Sequence, residues 1–290
     1  MAFKKHFARI VWPGSTLLVG LIVWEAATRG GLVPPFILPA PTAIVDRLFT
    51  SASVLAPHVW VTATEIVIGF ILAVVGGVGL AIATVYVPAF ERAVYPWIVA
   101  SQAIPKVAVG PLIVMWLGFG LLPKVFIAFL IAFFPVMIDT VIGLRSVEAE
   151  SISLMRSMGA TRWQTFVLLS LPSAMPNIFA GMKVAATLAI VGAIVGEFIG
   201  ANEGLGYVLI FANGTFDTTL IFAALVLISI LALICYAAVG FVEDSFIWWH
   251  VSKRGRAGVR RPRPFVARAA ESRSDSLKEV PKHASDGESK

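Results

Sequence analysis

The four histidines, His6, His58, His250 and His283, are scattered without ligand spacing, and Cys235 is the only cysteine in 290 residues. That pattern offers no metal cluster and no disulfide, and Cys235, set in an apolar run, reads as a small core hydrophobe. The chain contains no G-x4-G-K-[ST] phosphate loop, so no nucleotide chemistry of that kind is expected of it. No acid, base and nucleophile converge in a pattern that would make or break bonds. What remains is a set of ionisable residues in or beside apolar runs: Lys106, Asp139, Lys183 and Glu197. Such groups normally face a bundle interior or an aqueous path, so their chemistry is that of binding and passage. Lys106, Lys183 and Asp139 read as snorkelling or paired groups at least as readily as contacts for cargo, and Glu197 reads as an outer gate or cap.

The elements that must carry these groups are membrane helices. Hydrophobic residues make up 58% of the chain and charged ones 14%, with a mean hydropathy of +0.87, far more apolar than a soluble domain requires. Six runs are long enough to span, at about 10–28, 65–87, 93–117, 124–143, 176–199 and 219–242. The expected fold is an all-α polytopic membrane protein of about six transmembrane helices. The first run follows Lys4, Lys5 and Arg9 in the manner of a signal peptide. Five further spans, and Glu25 and Arg29 at the would-be cleavage region, favour a retained helix.

Charge distribution orients the bundle. Residues 251–290 carry 11 Lys/Arg against 5 Asp/Glu, whereas residues 1–250 carry 12 of each. This basic tail follows Trp248 and Trp249, where cationic side chains hold a membrane end in the cytoplasm and attract anionic lipid. Nucleic acid is not the expected partner. The division is a cytoplasmic N-terminus at 1–9, a transmembrane domain at 10–250 and a disordered tail at 251–290. With both termini cytoplasmic, 88–92 and 144–175 lie inside, and 29–64, 118–123 and 200–218 lie outside. Within 29–64, the PTAIVDRLF segment predicts a short helix started by Pro41.

Two spans carry small residues every four positions: Gly69, Ala73, Gly77 and Ala81, then Gly181, Ala185, Ala189 and Ala193. Gly192, Gly196 and Gly200 form a further row. These stripes let helix backbones approach closely where lipid provides no hydrophobic drive, in the bundle interior or at a subunit interface. The third span is interrupted by Pro96, Pro105 and Pro111 around Gln102 and Lys106. Backbone groups freed by proline at membrane depth need protein or a wet cavity. Gln102, Pro105, Lys106 and Glu197 are therefore the candidate translocation path or gate.

The segment Arg145–Pro176, RSVEAESISLMRSMGATRWQTFVLLSLPSAMP, is too charged for lipid and too periodic for a tether. Helical spacing of Ile152, Leu154, Met155 and Met158, with Ser151 or Ser153 as a cap, predicts a first helix that Gly159 closes at positive φ. Thr161 caps a second, RWQTFVLLS, and Pro172 ends it. An exposed helix carrying Met155 and Met158 suits an adaptable apolar contact with a partner protein.

Gly159, nine residues, Leu169, one residue, then Leu171-Pro172 resembles the G-x9-I-x-LP end of the loop that defines permease subunits of ATP-binding-cassette importers. IPKVAVGPLIVMWLGFG, LPSAMPNIFAGMKVA and GEFIGANEGLGYVL are similar to the nitrate, sulfonate, taurine and pyrimidine-precursor branch, and the resemblance covers roughly residues 60–245. The family's Glu-Ala-Ala triplet is absent: Ser153, Leu154 and Met155 stand in its register, and Glu148-Ala149-Glu150 is out of register. The resemblance implies a type I importer permease in the inner membrane that binds no cofactor itself. It implies a second permease copy, two cytoplasmic ATPases that use ATP and magnesium, and an external solute-binding protein. The coupling residues would be Ser153, Leu154, Met155, Arg156, Met158, Gly159, Ala160, Leu171 and Pro172. The alternatives are an ion-coupled transporter or channel, which calls for clustered ionisable groups at mid-membrane, and a membrane-embedded enzyme. The sequence shows the loop and no such cluster.

Overall fold

The computed structural model describes residues 2–247, and every regular element among them is helical. The tail expected at 251–290, with its anchoring role, lies outside the described residues. In chain order the elements are α1 (Ala2–Arg29), α2 (Pro41–Thr50), α3 (Ala52–Tyr86), α4 (Pro88–Ser101), α5 (Lys106–Leu117) and α6 (Leu121–Arg145). Then come α7 (Ala149–Ser157), α8 (Arg162–Thr165), a π-helical turn (Phe166–Ser170), α9 (Leu171–Gly200), α10 (Leu205–Gly214) and α11 (Thr218–Phe246).

Four helical segments are long and apolar enough to cross a membrane: α3, α6, Arg162–Gly200 and α11. The bent pair α4 and α5 makes a fifth if counted as one span. The first expected span lies within α1, an unbroken helix. Pro41 sits in the first turn of α2, as the PTAIVDRLF pattern predicts, because its missing N–H is not needed there. The expected loop at 51–64 is instead helix, since α3 already begins at Ala52. Its 35 residues rise about 52 Å, more than a hydrocarbon core of about 30 Å, so α3 projects beyond it.

Helix α6 is the centre of the bundle. Its most apolar 18 residues are 61% buried, against 11% in α11, so α11 keeps most of its apolar surface for lipid. The small-residue stripes explain how α3 and α9 close on α6. Ala73, Ala81, Ala185, Ala189 and Ala193 are wholly buried, and Gly69, Gly77 and Gly181 are buried with them. A Cβ on Gly69 would stand 2.7 Å from the Ala128 Cβ, and one on Gly192 would stand 2.5 Å from the Ala128 Cα. The three backbones therefore meet at a single alanine. Ile66, Ala132, Val136 and Ile190 complete that core, with Cys235 packed against it.

The third expected span is not one helix. Pro105 deprives the chain of a donor and disfavours helix at Ile104, and Gln102, Ala103 and Ile104 close α4 with i to i−3 bonds of 3.1, 3.1 and 3.2 Å. Helix α5 then leaves at 102° to α4. Pro96 and Pro111, by contrast, stay inside α4 and α5.

Candidate functional site

The loop between α6 and α9 follows the residue pattern in its middle, at Gly159 and Thr161, and differs from it at both ends. Helix α7 follows Glu148, and no side chain caps it: Ser153 donates to the Ala149 carbonyl at 2.9 Å, so neither Ser151 nor Ser153 is the cap. Gly159 has φ of 80°, the left-handed turn that closes α7, and nothing lies within 4 Å of a Cβ built there. Thr161 and Gln164 form a reciprocal capping box, with Gln164 N donating to Thr161 Oγ1 at 3.2 Å and Thr161 N donating to Gln164 Oε1 at 2.8 Å.

Pro172 does not end the second helix. The π turn at Phe166–Ser170 shifts the hydrogen-bond register, with Leu171 N–H reaching back to the Phe166 carbonyl, and Pro172 falls in the first turn of α9, which runs on to Gly200. Leu171 and Pro172 thus start a span.

The loop's exposed apolar groups include Leu154 (62% accessible), Met158 (75%) and Trp163 (70%), with Val167 and Leu168 exposed on the π turn, while Met155 is half-buried and Arg156, Gly159 and Ser153 are exposed. Ala160 is half-buried and its N–H bonds to the Met155 carbonyl at 3.0 Å. Leu154 and Met158, four residues apart, share the outer face of α7. Trp163 was not singled out from the sequence, although its place two residues after the cap sets it beside that face. Behind it, Phe166 enters the bundle against Leu144, Ala174 and Ile178, with its ring centroid 5.5 Å from Trp163 and 5.2 Å from Tyr86 at the end of α3. The loop's second half is therefore keyed into three spans, α3, α6 and α9.

The four candidate path residues divide between two places. Gln102 and Lys106 line a cleft of about 490 Å³ at the α4–α5 break, with Pro105 as the N-cap residue of α5 between them. The opposite wall is Ile131, Phe134, Pro135, Ile138 and Asp139 of α6 and Val184 and Leu188 of α9. Lys106 Nζ stands 4.3 Å over the Phe134 ring. Lys183 is elsewhere, paired with Glu243 of α11 and 5.9 Å from the centre of the Tyr236 ring.

Glu197 lies at the other end of α6 and α9, buried to 1% accessibility. It accepts from Thr62 Oγ1 at 2.6 Å and from the Gly206 N–H. Thr62 Oγ1 also accepts from Leu205 N at 2.8 Å, and His58 Nδ1 accepts from Gly204 N at 3.0 Å. Three amides at the start of α10 are thereby satisfied by side chains from α3 and α9, so Glu197 caps a helix. Beside it Lys124 Nζ bonds Glu65 Oε1 at 2.7 Å, with accessibilities of 7% and 0%. Glu65 Oε2 has no partner and stands close enough to Glu197 for the two carboxyls to repel, with the Lys124 ammonium attracting both. An ionisable cluster thus stands where α6 starts and α9 ends, packed against α3; the sequence reading excluded one only at mid-membrane. Glu65 and Lys124 also line a second cavity, of about 540 Å³, with Trp60, Phe119, Asn202 and Glu203. The clue was available: Glu65 and Lys124 open their apolar runs on the side where Glu197 closes its own.

Among the described residues no three His, Cys, Asp or Glu side chains stand together to hold a metal. The described fold is similar to a chain from inward-facing conformations of the MetNI methionine ABC transporter, with a TM-score of 0.58 and 20% identity over 68% of this chain and 98% of that one. In sequence the chain is 38% identical to the riboflavin transport system permease protein RibX of Chloroflexus aurantiacus, over 86% of this chain and 95% of RibX. It is 37% identical to the formylaminopyrimidine transport permease protein ThiX of Halalkalibacterium halodurans, over 84% and 98%, and 28% identical to the taurine transport system permease protein TauC of Escherichia coli, over 85% and 96%. Residues 66–247 match the model of the binding-protein-dependent transport system inner membrane component. The chain belongs to that family, as a multi-pass permease subunit of an ATP-binding-cassette importer and not an enzyme.

Proposed function

We propose that two copies of this chain form the path for a small polar or anionic nutrient, and that the loop at 144–175 couples each copy to a cytoplasmic ATPase. An external solute-binding protein delivers the cargo, and ATP and magnesium are used by the ATPases. Both termini and the loop then lie on the cytoplasmic side, and the cavity at Glu65 and Lys124 opens outward. The relatives named for riboflavin, a formylaminopyrimidine and taurine support a small organic nutrient as cargo.

The observation that carries this reading is the set of accessible apolar side chains on either side of a glycine turn, Leu154 and Met158 at the end of α7 and Trp163 in α8, in a loop keyed into the bundle by Phe166. Large apolar groups held out on a polar loop favour a protein partner, and the partner's closure would reach α3, α6 and α9 through Phe166. The Gln102, Pro105 and Lys106 cleft, on a broken helix at membrane depth, is the path in this reading. The buried Glu65, Lys124 and Glu197 group is largely paired within the protein and does not favour ion coupling.

Gly159→Pro is the test, since proline holds φ near −65° where the turn needs a positive value. Membrane insertion is expected to persist, with capture of the ATPase and solute uptake both lost. Aspartate at Leu154 and Met158 should act alike without altering the backbone. Normal ATPase coupling in these variants would overturn the reading.

A further inference from the structure

Asp139 is the half-buried carboxylate that the packing of the bundle leaves without a bond. Among the described residues it has no hydrogen-bond or ion-pair partner, although it lies on α6, six residues before the end of a helix that crosses the bundle centre. Its neighbour on α9 is Gly181, where a Cβ would stand 2.9 Å from the Asp139 Cβ and 3.1 Å from Oδ2. Any other residue at 181 would push the carboxylate away, so Gly181 does more than let two helices meet. Among the described residues Lys106, across the same cleft, has only the face of Phe134, and the exposed Gln102 side chain has no polar partner. Asp139 and Lys106 line one cleft without forming an ion pair with each other.

Three polar side chains of complementary capacity therefore face one cleft with apolar walls. Asp139 only accepts, Lys106 only donates, and Gln102 does both. Unpaired groups at this depth are costly unless something else satisfies them, and a cleft of about 490 Å³ lies within the range of small-molecule sites. A simple anion would meet Lys106 and be repelled by Asp139. A solute that offers a donor edge and an acceptor edge together satisfies both, and Ile131, Ile138 and Leu188 suit flat apolar faces.

We infer that Gln102, Lys106 and Asp139 form a solute site within the permease itself, selective for neutral nitrogen heterocycles that carry amine donors beside ring or carbonyl acceptors. This rests on the cleft being part of the path, and is independent of the docking role of the α7 loop. Asp139 selects against simple anions at a step after delivery.

The test uses the full-length chain, purified in lipid nanodiscs without ATPase, so an error about the docking loop leaves it untouched. Val184→Cys, in a Cys235→Ala background, places a thiol on the cleft wall for maleimide labelling. Cytosine, with an amine beside its ring-nitrogen and carbonyl acceptors, should slow labelling in a saturable way, and methanesulfonate, which has acceptors alone, should not. Asp139→Asn should raise the half-protecting cytosine concentration roughly tenfold or more, as expected for loss of a charged hydrogen bond, and lessen the discrimination against methanesulfonate. Asp139→Glu should retain part of the protection. Equal or better protection by methanesulfonate, protection by neither probe, or an unchanged cytosine response in Asp139→Asn would each overturn the inference.

Discussion

The two ends of the α6 and α9 pair are built in opposite ways. At the Glu197 end, charged and polar side chains are buried and bonded across three helices, and three amides at the start of α10 are held by side chains. At the Gly159 end, apolar side chains are held outward on a helix of nine residues in which no residue is buried. One end stores its polarity inside and the other displays its hydrophobicity outside. A bundle arranged in this way is fastened at one end and free to be gripped at the other. The contrast assigns stability and the proposed coupling to different residues, and substitutions can separate them.

The largest effect should come from Lys124→Met. It strands Glu65, which has no accessible surface, as an unpaired buried charge, and breaking such a pair costs about 3–5 kcal/mol. Thermal unfolding in detergent should show it, and Lys124→Met with Glu65→Leu should recover most of the loss. If the single variant were as stable as the parent, the fastened end would be misassigned.

Gly204→Ala comes next. Gly204 has φ of 108° and ψ of 167°, a region for glycine alone, and a Cβ there would strike the Glu197 carboxylate. Strain of about 1–3 kcal/mol plus disruption of the cap should lower folded yield by size-exclusion chromatography. Gly159→Ala makes the same chemical change at the other end, where φ is also positive but no atom is near. About 1–2 kcal/mol should then be lost locally, with yield nearly intact and ATPase capture weakened. The pair of alanine variants sharpens the comparison, because similar backbone strain should appear as misfolding at one end and as uncoupling at the other. The smallest effect is Thr161→Ala, which removes half of the capping box for about 1 kcal/mol and should show as faster amide exchange at Gln164.

Local features of this architecture were legible in the sequence because they rest on local physics. Pro41 starting α2, the left-handed turn at Gly159, the Thr161 cap and the four-residue stripes on α3 and α9 depend on backbone and periodicity within a few residues. The Glu65–Lys124 pair left only the clue that both residues open apolar runs on the Glu197 side, because its members are 59 residues apart and a charge at the edge of an apolar run is unremarkable. Three prolines announced a disrupted span, but the 102° turn at Pro105, with Pro96 and Pro111 accommodated, depends on what packs against each. Asp139 was visible as an ionisable residue in a span. Only the fold shows that nothing bonds to it.

The π turn at Phe166–Ser170 has a consequence for how the docking face is aimed. Each residue of an α-helix advances the side-chain direction by about 100°, and a π turn holds one residue more than an α turn in the same place. Deleting Val167 would let the turn relax to α-helical pitch while Trp163 kept its direction and α9 stayed seated on α6. The turn is thus a store of slack between a span and its surface loop: one residue can be lost there with the loop aimed as before, whereas the same deletion in the α-helical start of α9 would turn the loop about the axis by about 100°.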